Sequence, residues 1–218
     1  NFIAVNAKPS MIWGNSRYSC IPVATGTQPV GSDGKACRRL AQGEVLAGST
    51  TRDSMIADAN PIHQTQFLNT VTYKRFSVTA LIDWRNGGYT SDMTKNIWDE
   101  GGNSRDYDDK SIDPARPLGQ WRYGVWNSGD ISTYIDNGTY VKLREVSVTY
   151  DAPKNWASLA KAREMRFSFQ ARNLFMWSNY WSFDPEFNNF GNQNFNRFID
   201  LGPYPPSKQF FFSIDLGY

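Results

Sequence analysis

Residues Gln209–Tyr218 read QFFFSIDLGY, and this stretch decides the fold. Side chains alternate between the two faces of an extended strand, so this strand would have one mostly polar face and one apolar, largely aromatic face. A tilted strand of about ten residues spans the ~25 Å apolar band of an outer-membrane barrel. An edge strand of a soluble sandwich alternates in the same way, so both interpretations are open on this stretch alone. The apolar face carries Phe210, Phe212, Ile214, Leu216 and Tyr218.

The composition of the chain is polar overall but rich in aromatic residues. Aromatic residues make up 15% of the 218 residues, whereas the mean hydropathy is -0.56. The sequence contains no run of ~18 apolar residues that would cross a bilayer as a helix. Hydropathy does not reveal the strands of a membrane barrel, because only alternate residues face lipid. The net charge of +2 is too small to indicate a nucleic-acid partner.

The stretch Gln64–Trp84 predicts a β-hairpin with a tight connection at Lys74-Arg75. On its second strand, apolar side chains alternate with mostly polar ones. Both strands carry an aromatic residue at the turn end, Tyr73 and Phe76, and Trp84 lies at the far end. Aromatic residues at both ends of an apolar strip are what two water–lipid interfaces would select, which favours a membrane barrel.

Two further strands, Tyr140–Tyr150 and residues 165–172, show the same alternation. Arginine is costly against lipid or in a dry core but natural on a wet lumen, so the arginines of the second strand favour a barrel over a sandwich. Lumen-facing positions are predicted at Arg166, Gln170, Arg172 and Asp215. Lipid-facing positions are predicted at Phe67, Val71, Val78, Ile82, Val146, Val148, Phe167, Phe169, Phe210, Phe212, Ile214 and Leu216.

Three long polar segments, residues 16–61, 85–139 and 177–208, separate the predicted strands. The first is punctuated throughout by Gly, Pro, Ser and Thr, and it predicts an irregular loop. Such loops are unusual inside a compact soluble domain but ordinary on the external side of a large barrel. Short helices are predicted at Met93–Glu100 and Lys154–Ala162.

The chain opens in a strand-like stretch, Asn1–Asn15, which indicates a segment of something longer. Cys20 and Cys37 follow in a loop-like region without a CxxC partner or a nearby histidine, so metal binding is not expected. Two cysteines in surface loops fit a disulfide formed in an oxidising compartment, worth about 3 kcal/mol by loop-closure entropy. Two free thiols are the alternative.

No motif in the sequence indicates an enzyme or a cofactor. His63 is the only histidine, so a Ser-His-Asp or Cys-His site would have to use it, and a surface histidine is the simpler interpretation. Asp184 and Glu186 flank a proline and are better explained as a turn and salt-bridge element than as a glycosidase pair. The acidic residues at 106–109 lack the spacing of a calcium loop and are predicted to be solvated charge. Aromatic residues of the second loop, Trp121 and Tyr134 among them, fit loop packing better than sugar stacking.

Several motifs stand in one order along the chain. Together they resemble the C-terminal portion of SusC/RagA-type TonB-dependent outer-membrane transporters, over about residues 60–218. Arg172, at a position where a polar uncharged residue is common, and the cysteine loop depart from that pattern, which leaves the cargo open. The motifs are NTVTYKRFSV at 69–78, IDWRNGG at 82–88, YVKLREVSVTY at 140–150, ARNLF at 171–175, FDPE at 183–186, RFIDLG at 197–202, PYPP at 203–206 and the aromatic-ended strand.

The resemblance implies that residues 1–218 are the C-terminal segment of a roughly 22-stranded transmembrane antiparallel β-barrel with long external loops. It implies partners outside this segment: the remaining barrel strands, a plug domain, the TonB-ExbB-ExbD system and a SusD-like surface lipoprotein over the mouth. An unclosed wall would leave strand edges unpaired in the lipid bilayer, so the segment must join further strands. By the same resemblance, Tyr218 is the terminal aromatic that the outer-membrane assembly machinery recognises.

The function implied is import of a nutrient, an oligosaccharide or a peptide, across the bacterial outer membrane. The alternative is a soluble or cell-surface β-sandwich that binds glycans through its aromatic loops. A third possibility is a barrel that serves only as the scaffold of a larger assembly. The first two differ in whether Phe210, Phe212 and Ile214 meet hydrocarbon or a second sheet.

Overall fold

The computed structural model describes residue 8 and residues 10–18, 50–111, 113–187 and 198–218. These residues form two compact units, a sheet unit and a loop unit, which alternate along the chain. No helix among the described residues is long and apolar enough to cross a membrane. The sheet unit comprises Pro61–Gly87, Gly138–Asn179 and Tyr204–Tyr218, and the loop unit comprises the described parts of Asn1–Asn60, Gly88–Asn137 and Tyr180–Pro203.

Strands predominate in the described residues, and the helices are short. The strands are β1 Met11–Tyr18, β2 Thr50–Asp58, β3 Pro61–Tyr73, β4 Phe76–Gly87, β5 Tyr89–Asp92, β6 Ile135–Asn137, β7 Tyr140–Asp151, β8 Glu164–Ser178, β9 Ile199–Asp200 and β10 Gln209–Gly217. The helices are α1 Met93–Glu100, α2 Leu118–Asn127 and α3 Lys154–Leu159, with 3-10 turns at Arg105–Asp108 and Ile131–Tyr134.

The sheet unit is one five-stranded antiparallel sheet in the order β10-β8-β7-β4-β3. The hairpin predicted from the sequence is confirmed: Tyr73 pairs with Phe76, and Lys74 takes a positive φ of 55° in the tight turn. Short connections lie at this end of the sheet, at residues 74–75 and 152–163. The long connections, residues 88–139 and 179–208, leave from the opposite end. The connections are thus segregated by length.

A β-bulge at Arg144 sets which residues of β7 share a face. Leu81 pairs with Glu145, and the next residue of β4, Ile82, pairs with Leu143, so Arg144 is the extra residue. Strict alternation from Val146 would place Arg144 on the apolar face. The bulge turns it to the opposite face, where its guanidinium contacts Asp83, and puts Leu143 beside Ile82 instead.

The loop unit contains a β1–β2 hairpin and a small sheet in the order β6-β5-β9. Its apolar core consists of Ile12, Ile56, Ala57, Ala59 and Ile135, with Ile131 and Phe198 packed against it. Gly14 is required for this packing, since a Cβ there would lie 2.2 Å from the Cδ1 atom of Ile131.

The structure corrects the loop predictions in three places. The predicted irregular segment 16–61 contains the end of β1 and all of β2, whose polar sequence TTRDSMIAD gave little apolar signal. Helix α2 was not predicted, because its buried face includes Arg122 and Gly119 as well as apolar residues. Helix α3 ends at Leu159 rather than at 162. The predicted helix α1 is confirmed with its bounds, and the Asp92 side chain caps it by accepting from the Lys95 amide at 2.8 Å.

Candidate functional site

The register of the sheet brings all twelve predicted lipid-facing residues onto one face. Rows of side chains cross the strands on this face, and the central row contains Ala80, Val146, Ala171 and Phe210. The row next to the tight turn contains Tyr73, Phe76, Tyr150, Phe167 and Ile214, and the row at the far end contains Trp84, Val141 and Trp177. Aromatic side chains therefore border the apolar strip at both ends.

Many side chains of this apolar face are solvent-exposed in the chain. Val71 is 68% exposed, Phe210 is 61% exposed and Phe212 is 65% exposed. Exposed fractions of this size are unlike those of an apolar sheet face in the core of a sandwich, which a second sheet buries. An exposed sheet face that is mostly apolar indicates contact with lipid or with another protein.

The opposite face is polar, and its charges are paired across strands. Nε of Arg166 donates to Oδ1 of Asp151 at 2.6 Å, and Asp215 lies opposite Arg166 on β10. Nε of Arg172 donates to Oε2 of Glu145 at 3.2 Å. Gln170 lies on the same face, between the two arginines along β8, so the four predicted lumen-facing residues are brought together on one surface.

A polar cluster on this second face was not predicted from the sequence. Asp83 is fully buried and accepts from Nε of Arg144 at 2.8 Å and from the hydroxyl of Tyr140 at 3.2 Å. The side-chain amide of Gln64 donates to the same carboxylate at 3.3 Å. The bulge at Arg144 creates this cluster. In the sequence, the sign of the bulge is that Arg144 interrupts the alternation of apolar residues along β7.

The loop unit is held together by a second buried ionic group. Asp99 accepts from Nε of Arg122 at 2.6 Å and from the hydroxyl of Tyr134 at 2.9 Å. The same guanidinium donates to Asp106 at 2.9 Å. Burial and the charge of Asp99 raise the pKa of Tyr134. Burial alone would lower the pKa of Arg122, but its hydrogen bonds to Asp99 and Asp106 outweigh that effect and raise it.

A third group of buried acids surrounds the start of α1. Oδ1 of Asp92 accepts from the Ser182 hydroxyl at 2.6 Å, while its Oδ2 is buried with no hydrogen-bond partner among the described residues. Burial raises the pKa of Asp92 to about 7, against the lowering effect of Lys95, which is paired with Asp136. Asp200 accepts from Thr94 and from Tyr180, and burial raises the pKa of this carboxyl too.

Next to these acids lies a cavity of about 210 Å³ in the loop unit. Trp98, Phe183 and Trp181 supply its aromatic side chains, and Arg105 stacks on the Trp181 ring at 4.7 Å. Thr94 and Ser182 complete the lining. The cavity combines apolar surface with a few polar groups, which is the usual make-up of a small-ligand site.

Trp121 and Tyr134 are buried, so the packing interpretation of these loop aromatics is confirmed. Asp184 accepts from the Glu186 amide at 2.9 Å, which confirms the turn. His63 is half-buried, and its ring packs edge-on against the Trp84 ring with centroids 4.7 Å apart.

The other predictions for single residues concern the acidic run, a metal site and the cysteines. Asp106, predicted to be solvated, is instead bound to Arg122 and to the Trp181 indole. Among the residues that the structure describes, no three acidic, His or Cys side chains are grouped to hold a metal. Cys20 and Cys37 lie outside the described residues, and so does their predicted disulfide.

The sequence is similar to that of curated TonB-dependent receptors, although no family model matches it. It is 26% identical over 180 residues to TonB-dependent receptor P3 of Formosa agariphila, a match that covers 77% of this chain and 17% of that receptor. It is 27% identical over 77 residues to TonB-dependent receptor P26 of the same organism, which covers 34% of this chain and 8% of that receptor. The chain thus spans a small part of the length of these relatives.

The fold is similar to part of a solved transporter. The RagAB peptide transporter matches with a TM-score of 0.60 and 19% identity, over 94% of this chain and 22% of that chain. The RagAB peptide importer in its closed-closed state matches with a TM-score of 0.59 and 19% identity, over 99% of this chain and 24% of that chain. Motifs, sequence and fold agree, and the chain is similar to part of a SusC/RagA-type TonB-dependent outer-membrane transporter.

Proposed function

We propose that this chain forms part of the barrel wall and external loops of a TonB-dependent transporter that imports a nutrient across the bacterial outer membrane. The observation that carries this proposal is the division of the five-stranded sheet into two faces. One face holds all twelve predicted lipid-facing residues, and the other holds Arg166, Gln170, Arg172 and Asp215. A membrane barrel needs such a division, because its outer face meets hydrocarbon and its lumen meets water.

The dimensions of the apolar face fit a bilayer. Four row-to-row steps separate the aromatic row at Tyr73 from the row at Trp84, which is about 27 Å along the strand and about 20 Å along the membrane normal at the usual tilt. This height is comparable to the ~25 Å apolar band of outer-membrane barrels. We therefore place the aromatic rows at the two water–lipid interfaces.

The lengths of the connections support an orientation. Outer-membrane barrels have short periplasmic turns and long extracellular loops. The Lys74-Arg75 turn would accordingly lie on the periplasmic side, and residues 88–139 and 179–208 would be extracellular. Strand β10 ends on the periplasmic side in this orientation, and we propose that Tyr218, which follows it, is the aromatic signal for assembly.

The partners follow from the open edges of the sheet and from the resemblance. Strands β3 and β10 are the edges of the described sheet, and an edge in lipid costs several kcal/mol for each unpaired backbone group. We therefore propose that further strands of the same transporter close the barrel around a plug. A SusD-like lipoprotein at the mouth and energy from TonB-ExbB-ExbD complete the proposal. The role is that of a transporter, not an enzyme.

The test is uptake by cells that carry or lack the gene. Cells with the gene deleted should fail to grow on the oligosaccharide or peptide mixture that supports the parent strain as sole carbon source, and deletion of TonB should give the same defect. Growth of the deletion strain at the parental rate on every such mixture would contradict import. A purified SusD-like lipoprotein bound to the receptor would separate transport from a purely structural role.

A further inference from the structure

The cavity next to α1 has room for one small unit. Its volume of about 210 Å³ lies below the ~300–1,000 Å³ of sites that enclose a whole drug-sized ligand. An oligomeric cargo would therefore place one unit in it and extend outside. Its side chains all belong to the loop unit, which the proposed orientation makes extracellular.

Arg105 supplies a positioned cation at this cavity. Its guanidinium stacks on the Trp181 ring at 4.7 Å, and that ring is fixed in turn by an indole hydrogen bond to Asp106 at 2.8 Å. The Arg105 side chain is 66% exposed, and it forms a long ion pair with Asp106, in which the 3.9 Å between Nε and Oδ1 is beyond hydrogen-bond distance. The contact with the Trp181 ring thus positions the guanidinium, and the exposure of the side chain leaves its N–H donors accessible to a ligand. A planar guanidinium fork matches a carboxylate.

The hydroxyl groups of the cavity act as acceptors. Ser182 donates its proton to Oδ1 of Asp92 at 2.6 Å, and Thr94 donates its proton to Asp200. The Thr94 oxygen also accepts from the Gly202 amide at 2.7 Å. With its proton committed, the Ser182 oxygen offers lone pairs, so a ligand must present an O–H or N–H donor to it.

The apolar side chains of the cavity are partly exposed. Trp98 is 44% exposed and Phe183 is 52% exposed, so both retain surface that a ligand can cover. The cavity therefore joins an aromatic wall, a hydrogen-bond acceptor and a guanidinium. These three groups define the ligand chemistry: a carboxylate on a small unit that also carries a hydrogen-bond donor and an apolar face.

We propose that this cavity binds a carboxylate-bearing terminal unit of the cargo, with the carboxylate on Arg105 and a donor group on Ser182. The chemistry has two sources, a uronate at the end of an acidic oligosaccharide or the C-terminus of a peptide. The proposal rests on the proposed import function, because it identifies the ligand as cargo.

The experiment is equilibrium binding to the intact, purified transporter, followed by tryptophan fluorescence and calorimetry. The probes are trigalacturonate against neutral maltotriose, and trialanine against trialanine amide. One acidic probe should bind, and its neutral counterpart should bind at least tenfold more weakly. Arg105→Gln should weaken binding of the acidic probe by about 10- to 100-fold, the loss of affinity expected when a charge-assisted hydrogen bond is removed. Arg105→Lys should lose less affinity for the acidic probe, because it keeps the positive charge.

The matched control is Arg116→Gln, which also removes one positive charge from the loop unit. Arg116 is 51% exposed and pairs with Asp113 outside the cavity, so its substitution should leave the affinity for the acidic probe unchanged. Binding of trigalacturonate alone would assign the uronate, and binding of trialanine alone would assign the peptide C-terminus. The proposal would be overturned if acidic and neutral probes bound equally or if neither acid bound. It would also be overturned if Arg105→Gln and Arg116→Gln lost the same affinity for the acidic probe. Normal uptake in cells with these results would show that import stands while this site does not.

Discussion

Phe169 on β8 lies directly opposite Phe212 on β10, yet each ring stacks on its diagonal neighbour. The Phe169 ring stacks on Phe210 with centroids 6.3 Å apart, and the Phe212 ring stacks on Phe167 at 6.4 Å. Phe169 is nonetheless 44% exposed, so the rings cover one another only in part. Offset aromatic pairs contribute about 0.5–1.5 kcal/mol beyond their buried area, and the outer surface of these rings stays exposed in the chain.

A charge placed in the middle of the apolar face should be far more costly than one on the polar face. Val146→Arg puts a cation in the central row and is expected to destabilise the protein by about 2–4 kcal/mol if that row is at the bilayer midplane. Ser147→Arg, one residue along β7 on the other face, should cost about 0.5 kcal/mol or less. The difference in stability is measured by the midpoint of unfolding in guanidinium chloride and by the amount of protein in the outer membrane. Equal effects of the two substitutions would argue against a lipid-facing row.

Two glycines of α2 offer a matched test of the buried ionic group. A Cβ at Gly119 would lie 2.6 Å from Oδ1 of Asp99 and 2.8 Å from the Ser104 hydroxyl oxygen, so Gly119→Ala should destabilise the loop unit by about 1–3 kcal/mol. A Cβ at Gly124 meets nothing within 4 Å, and Gly124→Ala should be neutral or stabilising by up to about 1 kcal/mol. Hydrogen-exchange protection of α2 amides in the intact protein reports the effect of both substitutions. Equal protection in the two variants would contradict the contact.

The pairing of Arg122 with Asp99 predicts a non-additive double substitution. Arg122→Met leaves a carboxylate buried without its cation and should cost about 3–5 kcal/mol. Adding Asp99→Leu removes that buried charge and should recover part of the loss. The same exchange measurement on α1 and α2 gives the three values. A double variant as unstable as the sum of the two single variants would show that the two side chains act independently.

The raised pKa of Asp92 predicts that the loop unit loses stability as pH rises. The folded-state pKa of about 7 lies above the ordinary value of 3.8, so the folded protein holds the proton more tightly than the unfolded chain. The contribution of Asp92 to stability is therefore largest below about pH 4, falls between pH 4 and 7, and levels off above pH 7, a change of up to about 4 kcal/mol.

Asp92→Asn is the variant that tests this dependence. The amide oxygen keeps the acceptor for the Lys95 amide and for Ser182, while the charge is removed. The loss of stability between pH 4 and 7 should be smaller in this variant, and the loss that remains is due to Asp200. Above pH 7 the variant should be more stable than the wild type. Exchange rates of α1 amides, corrected for intrinsic exchange at each pH, measure it. A slope identical in both proteins would assign the dependence to other groups.

The long strands and the tight turn were predictable because their signal is local. Alternation from Phe76 to Trp84 identifies a strand and its faces without any knowledge of its neighbours, and the Lys74-Arg75 turn follows from two such strands meeting. Strand β2 was not predicted because its first five residues are all polar, and apolar residues begin only at Met55 and Ile56. Its partner, β1, lies far away in the sequence, and only that pairing makes it a strand.

The buried ionic groups could not be predicted for a related reason. Asp83, Asp99 and Arg122 are residue types that are mostly exposed, and nothing beside them in the sequence marks them as buried. Their partners come from distant segments: the Asp99 carboxylate meets Arg122 and Tyr134 only because α1, α2 and a 3-10 turn pack together. The cavity beside them likewise joins α1 to the segment at Trp181 and Ser182.

The central claim is that alternate residues of these strands meet hydrocarbon and water, and spin-label accessibility along β7 tests it most directly. Single cysteines are placed at positions 145–149 in a protein with Cys20 and Cys37 replaced by serine. Each carries a nitroxide and is measured in lipid vesicles. Labels at Val146 and Val148 should be accessible to oxygen and shielded from a water-soluble nickel chelate, and labels at Glu145, Ser147 and Thr149 should show the reverse. The account would be contradicted if labels at Val146 and Val148 were immobilised and shielded from both reagents. Equal accessibility at all five positions would also contradict it.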